Sequence, residues 1–209
     1  MQEKEEQQIV TQSNSISPIS DTSKTSDAAE DTVCITSTIA RREWNQLVET
    51  ATQATPFHRY EFLETLAEHS GTTFHSILGR YNDRPIGLFP VFEHSFGPYT
   101  ALFSPAPSLK VRYLGPILFE LDGVDPVEHE QHGRDFLNAV LSCFEDRFAP
   151  GYTLVRTTPR FGDHRPFVWE NFEATPQYSY VVNLAPDAST LLETFSSDAR
   201  SNIQQEAAE

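Results

Sequence analysis

Residues 152–209 read YTLVRTTPRFGDHRPFVWENFEATPQYSYVVNLAPDASTLLETFSSDARSNIQQEAAE. The opening Tyr152-Thr153-Leu154-Val155 reads as a strand entering a core, because β-branched and aromatic residues suit a pleated, half-buried surface. Residues 159–163 turn the chain. Arg165-Pro166-Phe167-Val168-Trp169 then sets an arginine beside a rigid aromatic block, read as a short helix. Residues 178–184, YSYVVNL, form a second strand. Pro186-Asp187 opens a helix that carries Leu191, Leu192, Phe195, Ala199 and Ile203 on one face, with Arg200 beside it.

Working back from this stretch, residues 125–148 form the longest helix. Asp125 and Pro126 suit its N-terminus, and Phe136, Leu137, Val140, Leu141, Phe144 and Phe148 make its apolar stripe. Three strands precede it as an antiparallel meander: residues 73–81, 86–92 and 99–103. They are joined by Asn82-Asp83-Arg84-Pro85 and Gly97-Pro98 turns, and Pro90 implies an edge or a bulge. Residues 113–119 are part strand and part loop, with Gly115-Pro116 read as a tight turn. Before the meander lie a strand at residues 33–39 and two helices. The first, residues 41–52, turns Trp44, Leu47, Val48 and Ala51 inward. The second starts at Thr55-Pro56, buries Tyr60, Leu63, Leu66 and Ala67, and ends at Gly71. Residues 1–31 are Glu, Gln, Ser, Thr and Asp with little that is apolar. They are expected to be disordered, since they cannot offset their ordering entropy. The division is therefore a leader of residues 1–31 and one domain over residues 32–209. Its element order defines an α+β fold, a mixed, largely antiparallel sheet flanked by helices.

The chain carries 30 acidic residues against 15 basic ones, a net charge of −15. Lysine supplies only Lys4, Lys24 and Lys110. Such a surface repels phosphate backbones and excludes nucleic-acid binding by charge. Scarce lysine with abundant Asp and Glu points to a salt-adapted, halophilic cytoplasmic setting. Cys34 and Cys143 lack the spacing of a zinc site or a disulfide framework and read as small core residues. No apolar run is long enough to span a membrane, and the N-terminus has neither the basic start nor the apolar stretch of a secretory signal.

"RPFVWENF", "YSYVVNL" and "FSSDARSNIQQ", preceded by "TPFHRYEFLETLAEHSG", "RPIGLFPVFE" and "YLGPILF", resemble Fem-type acyltransferases of the GNAT-like superfamily. In that group a W-x-x-F segment, a Y-x-Y/V strand and an R-x-x-I helix follow in this order. The resemblance covers roughly residues 33–209. It implies a GNAT-like lobe, with two early helices before an antiparallel meander, truncated before the second lobe such proteins carry. It implies an acyl-CoA or aminoacyl donor, transfer of an acyl or aminoacyl group to a small-molecule or peptide amine, and a second lobe or a homodimer partner. The R/Q-x-x-G-x-G/A segment, whose backbone N–H groups hold the coenzyme A pyrophosphate in GNAT enzymes, is not present in the sequence.

Five residues are expected to bind substrate. Arg165 and Arg200 can hold a phosphate or carboxylate bidentately, and the alternative for Arg165 is pairing with Asp163 or with a helix C-terminus. Tyr178 and Tyr180 share a strand face, from which they can position an amine or donate to a developing oxyanion. His58 follows Pro56-Phe57 at a place where Fem-type proteins look similar, and its ordinary pKa suits a general base. Glu128-His129-Glu130-Gln131-His132 approaches a zinc-protease signature, but its histidines are three apart where H-E-x-x-H needs four. G-x-S-x-G, P-loop and G-x-G-x-x-G motifs do not occur. The residues thus support an N-acyltransferase-like protein, with a noncatalytic binding or partner-interaction lobe as the alternative.

Overall fold

The computed structural model describes residues 3–13, 33–181 and 187–206; side chains at 3–10, 12, 13, 179–181, 204 and 206 lie outside the description. The chain divides into a larger unit, Gln7–Gln177, and a smaller one drawn from both chain ends, Met1–Glu6 and Tyr178–Glu209.

The larger unit is built on a mixed sheet. Strands β2 (Cys34–Thr36), β3 (Thr73–Tyr81), β4 (Arg84–Phe96) and β5 (Tyr99–Ser104) pair antiparallel in that order, and β6 (Ile117–Leu118) pairs with β4. Beyond β5 the sheet changes sense: β7 (Tyr152–Arg156) runs parallel to it, with Phe103 opposite Leu154. A parallel neighbour needs a crossover. That role falls to α3 (Pro126–Phe148), 23 residues long. Asp125 caps this helix by accepting the Val127 N–H at 2.8 Å, and Pro126 occupies its first turn.

Alternation along the strands sends side chains to two separate cores. Ile77, Phe89, Val91, Leu102 and Val155 meet the stripe of α3 (Phe136, Leu137, Val140, Leu141, Phe144) and the aromatic block Phe161, Phe167 and Phe172 around α4 (Arg165–Trp169). Their neighbours Leu78, Leu88 and Phe92 face the opposite side. There they meet Trp44 and Val48 of α1 (Arg41–Thr50), Leu63 and Leu66 of α2 (Tyr60–Ser70), and Leu114 and Ile117 from the long connection after β5. The expected α+β sheet with helices on both faces is what the chain forms.

Pro90 sits inside β4 opposite Ser76 of β3. On the other flank, pairing with β6 covers Gly87 and Leu88 and pairing with β5 begins at Phe92, so Pro90 falls in the gap. Its carbonyl accepts the Ser104 hydroxyl at 2.6 Å. The missing N–H therefore interrupts no ladder, which is how a proline occupies a central strand.

Several expectations are corrected. Glu3–Ser13, expected to be disordered, is strand β1, antiparallel to β7 with Ile9 opposite Arg156. Strand pairing is satisfied by backbone N–H and C=O groups, so it does not need the apolar side chains this segment lacks. Residues 14–32, which contain the expected boundary at residue 31, lie outside the described residues. The first expected strand shortens to Cys34–Thr36, whose alternating exposure leaves Cys34 at the surface, not in the core. Thr55-Pro56 opens a separate 3-10 turn, Pro56–His58, before α2 begins at Tyr60. Strand β8 is Glu173–Val181, and the rest of the expected YSYVVNL strand is outside the described residues. The single helix expected after Asp187 is two, α5 (Ala188–Glu193) and α6 (Ser197–Glu206). Thr194 Oγ1 donates to the Leu191 carbonyl at 2.7 Å where α5 stops.

Candidate functional site

The parallel pair β5/β7 ends at Ser104 and Arg156, and the long connection after β5 folds back over these ends. Backbone pairing and one bond to a side chain fix it there. The Leu114 N–H donates to the Arg156 carbonyl at 2.9 Å. Leu114 forms a parallel bridge with Thr157. The Gly115 N–H donates to Ser104 Oγ at 3.1 Å. Gly115 has φ +66°, and a Cβ there would lie 3.0 Å from Thr157 Cα and 3.2 Å from the Arg156 carbonyl oxygen. The residue expected to make a tight turn also lets two backbones approach closely, a combination open to glycine.

His58 is fully buried beneath this connection. Its Nδ1 accepts the Thr55 N–H at 3.1 Å and lies 3.0 Å from the Thr55 hydroxyl. Accepting a backbone N–H places the neutral ring's proton on Nε2. The Leu114 and Gly115 backbone lies on that side and acts to raise the pKa, yet Nε2 forms no hydrogen bond of good geometry among the described residues. Burial dominates and lowers the pKa to about 4. His58 is thus a neutral ring packed under the loop, without the solvent access of a free base. Its carbonyl accepts the Trp44 indole N–H at 2.6 Å, tying the turn to α1.

Beside these strand ends lies a cleft of about 460 Å³ lined by Leu109, Lys110, Val111, Arg112, Arg156 and Gln177. Three cationic residues line it, and among the described residues no carboxylate does. Sequence reasoning passed over these residues. The available signal was Lys110, one of three lysines, two positions before Arg112 in an acid-rich chain; Arg156, distant in sequence, joins them only through the fold.

Arg165 lines a different cleft, with Gly162, Asp163, His164, Val168, Trp169 and Ala174. Its guanidinium donates to Asp163 at 2.8 and 2.9 Å, pairs with Glu130, and lies 5.9 Å from the Trp169 ring centroid. The Asp163 alternative is the one formed. These hydrogen bonds hold the Asp163 carboxyl below its ordinary range. Tyr178 and Arg200 belong to the smaller unit, where both are exposed. The Tyr180 side chain lies outside the described residues. His58 is not among the residues that line this Arg165 cleft. His129 Nε2 is engaged by the Phe119 carbonyl at 2.9 Å, while His132 is buried against Tyr81 with ring centroids 4.2 Å apart. Among the described residues no group of three metal-ligating side chains forms, and no helix is long and apolar enough to cross a membrane.

Comparison with models of known protein families gives no match, and no curated protein matches the sequence. Among solved structures, the chain is similar to a GCN5-related N-acetyltransferase from Sphaerobacter thermophilus, at 11% identity and a TM-score of 0.44. The match covers 84% of this chain and 50% of that one, so the chain spans about half the length of that structure. At that score the fold reading rests on this chain's own topology.

Proposed function

We propose that the chain is an N-acyltransferase-like lobe of the Fem type, which binds an acyl or aminoacyl donor and presents it to an amine. The observation that carries this reading is the element order around the strand ends. Two helices precede an antiparallel meander, the arrangement the resemblance implies for a GNAT-like lobe, and α3 then leads to β7, which lies parallel to β5. Ligands of open sheets with parallel strands bind beyond the strands' carboxyl ends, where the loop of residues 104–115 lies. Transfer would rest on positioning the amine, removing its proton and stabilising the tetrahedral oxyanion.

The burial of His58 favours a second reading, a binding lobe without turnover, because the histidine that looked best as a base is sealed from solvent. The two readings separate in one experiment. Purified chain is incubated with acetyl-CoA, and separately with an aminoacyl ester, over a panel of peptide and small-molecule amines, and products are read by mass spectrometry. Acylated amine above the uncatalysed background supports the enzyme. Donor binding without product over the whole panel supports the noncatalytic lobe. Without the pyrophosphate loop, acetyl-CoA is expected to bind the isolated chain weakly.

A further inference from the structure

We propose that the Asp122–Gly123 linkage is a site of spontaneous backbone isomerisation, in which a cyclic imide forms and reopens to isoaspartate, and that this change loosens the start of α3. Asp122 is the one aspartate of the chain that a glycine follows, and no asparagine is followed by one. The reaction needs the next residue's amide nitrogen to reach the aspartate carboxyl, and a side chain on that next residue obstructs the approach. Here the fold leaves the approach open. Asp122 and Gly123 are both exposed, Gly123 has φ +74°, and a Cβ there would meet nothing within 4 Å. Among the described residues, neither the Gly123 N–H nor the Asp122 carboxylate has a hydrogen bond or ion pair. Other aspartates are placed differently. Asp125 precedes a proline, which has no N–H. Asp135 and Asp146 lie within α3, where helical hydrogen bonds occupy the following amides. The Asp163 carboxylate accepts from Arg165 at 2.8 and 2.9 Å.

The step balances with water as its only co-reactant. The Gly123 nitrogen attacks Cγ of the protonated Asp122 carboxyl, a new N–C bond forms, and one water leaves with the amide proton. The imide then takes up a water at either carbonyl carbon. Opening at Cγ restores aspartate. Opening at the α-carbonyl breaks the original amide, routes the main chain through Cβ and Cγ, and frees the α-carboxylate. Nothing is oxidised or reduced. The place of the added methylene decides its effect. Residues 119–125 are held at both ends. The Phe119 N–H donates to the Ile86 carbonyl at 3.0 Å, and the Phe119 carbonyl is engaged by His129 Nε2 at 2.9 Å. At the other end Asp125 caps α3 by accepting the Val127 N–H at 2.8 Å. Between them the Val124 N–H donates to the Leu121 carbonyl at 3.3 Å, closing a turn around Asp122 and Gly123. A longer backbone between two fixed ends must strain one of these bonds. The Val124 bond is the longest and encloses the change, so it and the adjoining cap give way first. The inference stands on this turn and not on acyl transfer.

The test ages the full chain at neutral pH and follows it by peptide mapping and mass spectrometry, beside a synthetic peptide of residues 119–127. The expected result is a second form of the peptide containing Asp122, unchanged in mass, preceded by an imide lighter by one water. It should accumulate ahead of any isomer at the other aspartates. It should be lost in Asp122→Glu, whose longer side chain disfavours ring closure. It should be strongly reduced in Gly123→Asn, because asparagine tolerates the positive φ but adds a side chain beside the nitrogen. Both positions are exposed, so both variants should fold. A folded chain that stays unmodified while the free peptide converts overturns the site, since the fold would then block the reaction. An isomer that forms as fast in Asp122→Glu places the reaction elsewhere and overturns it too. Hydrogen exchange on the aged chain should be faster at the amides of residues 129–132 than in fresh protein, with the middle of α3 unchanged. Equal exchange at residues 129–132 overturns the loosening of α3. No arm depends on acyl transfer, so failure here leaves the proposed function untouched.

Discussion

Gly79 and Gly87 face each other across the β3–β4 ladder, and the ring of Phe136 from α3 lies over both. A Cβ at Gly79 would fall 2.2 Å from Phe136 Cδ2, and one at Gly87 would fall 2.6 Å from Cε1. The ring is fully buried and has little room to retreat. Gly79→Ala is therefore expected to destabilise the fold by about 1–3 kcal/mol through overpacking. In urea unfolding, Gly79→Ala combined with Phe136→Leu should cost less than the sum of the single changes, because the smaller side chain vacates the contested space. Additive losses would show that the two positions do not compete.

His58 gives a pH dependence with a defined sign. Its pKa is about 4 in the fold against an ordinary 6.5, so the unfolded chain binds the extra proton between those values. Stability is unaffected above that window and falls as pH drops through it, by about 3 kcal/mol in all at roughly 1.4 kcal/mol per pK unit. His58→Gln loses the bonds to Thr55 and should be less stable at pH 7.5. The gap between the two proteins should narrow towards pH 4, because only the wild type carries the penalty. A gap that stays constant over unfolding curves from pH 7.5 to 4 would place the titration elsewhere.

Why these features escaped the sequence, while others did not, is a matter of range. The α3 helix was legible because Asp125, Pro126 and the stripe from Phe136 to Phe148 lie within one local pattern. The β3–β4 hairpin was legible because Asn82 and Asp83 tolerate positive φ, and both adopt it, at 46° and 63°. Strand β1 was not, since its pairing with β7 is made by backbone groups some 145 residues away in sequence, a distance evident from Ile9 opposite Arg156. His58 looked like a base from its ordinary pKa, and only tertiary burial under Leu114 and Gly115 removes it from solvent. Lys110 and Arg112 acquired a meaning only when β7 brought Arg156 beside them.

The Arg165–Asp163 pair can be read by titration. Arg165 holds the Asp163 carboxyl below its usual range, first through side-chain hydrogen bonds. A depressed acid contributes stability above its unfolded pKa, and that contribution is lost as pH falls through the folded one. The carbon-13 NMR midpoint of Asp163 should lie below the ordinary aspartate range and rise in Arg165→Gln. An unchanged midpoint would mean that solvent, not Arg165, sets the charge of Asp163.

Net charge sets the response to salt. With 30 acidic residues and 15 basic ones, self-repulsion opposes the compact state and is screened by added ions. Thermal midpoints measured from low to multimolar KCl should climb. A flat or falling series would remove the salt-adapted reading of the composition.

The last expectation concerns the helices that close the chain. In α5 and α6 no described side chain is buried; Leu191, Leu192, Phe195 and Ala199 are half-buried, and Ile203 is 42% exposed. By contrast α3 buries Phe136, Leu137, Val140, Leu141 and Phe144. Helices of six and ten residues are too short to persist on propensity alone, so their stability must come from packing that these faces supply only in part. Amides of Ser197–Glu206 are therefore expected to exchange through local opening at a low free-energy cost, orders of magnitude faster than those in the middle of α3. Hydrogen exchange followed by mass spectrometry reads both helices in one sample. If α6 is protected as strongly as α3, its apolar residues are covered in solution. Repeating the measurement over a range of protein concentrations would then show whether a second copy supplies the cover, because protection by a partner rises with concentration and protection within one chain does not.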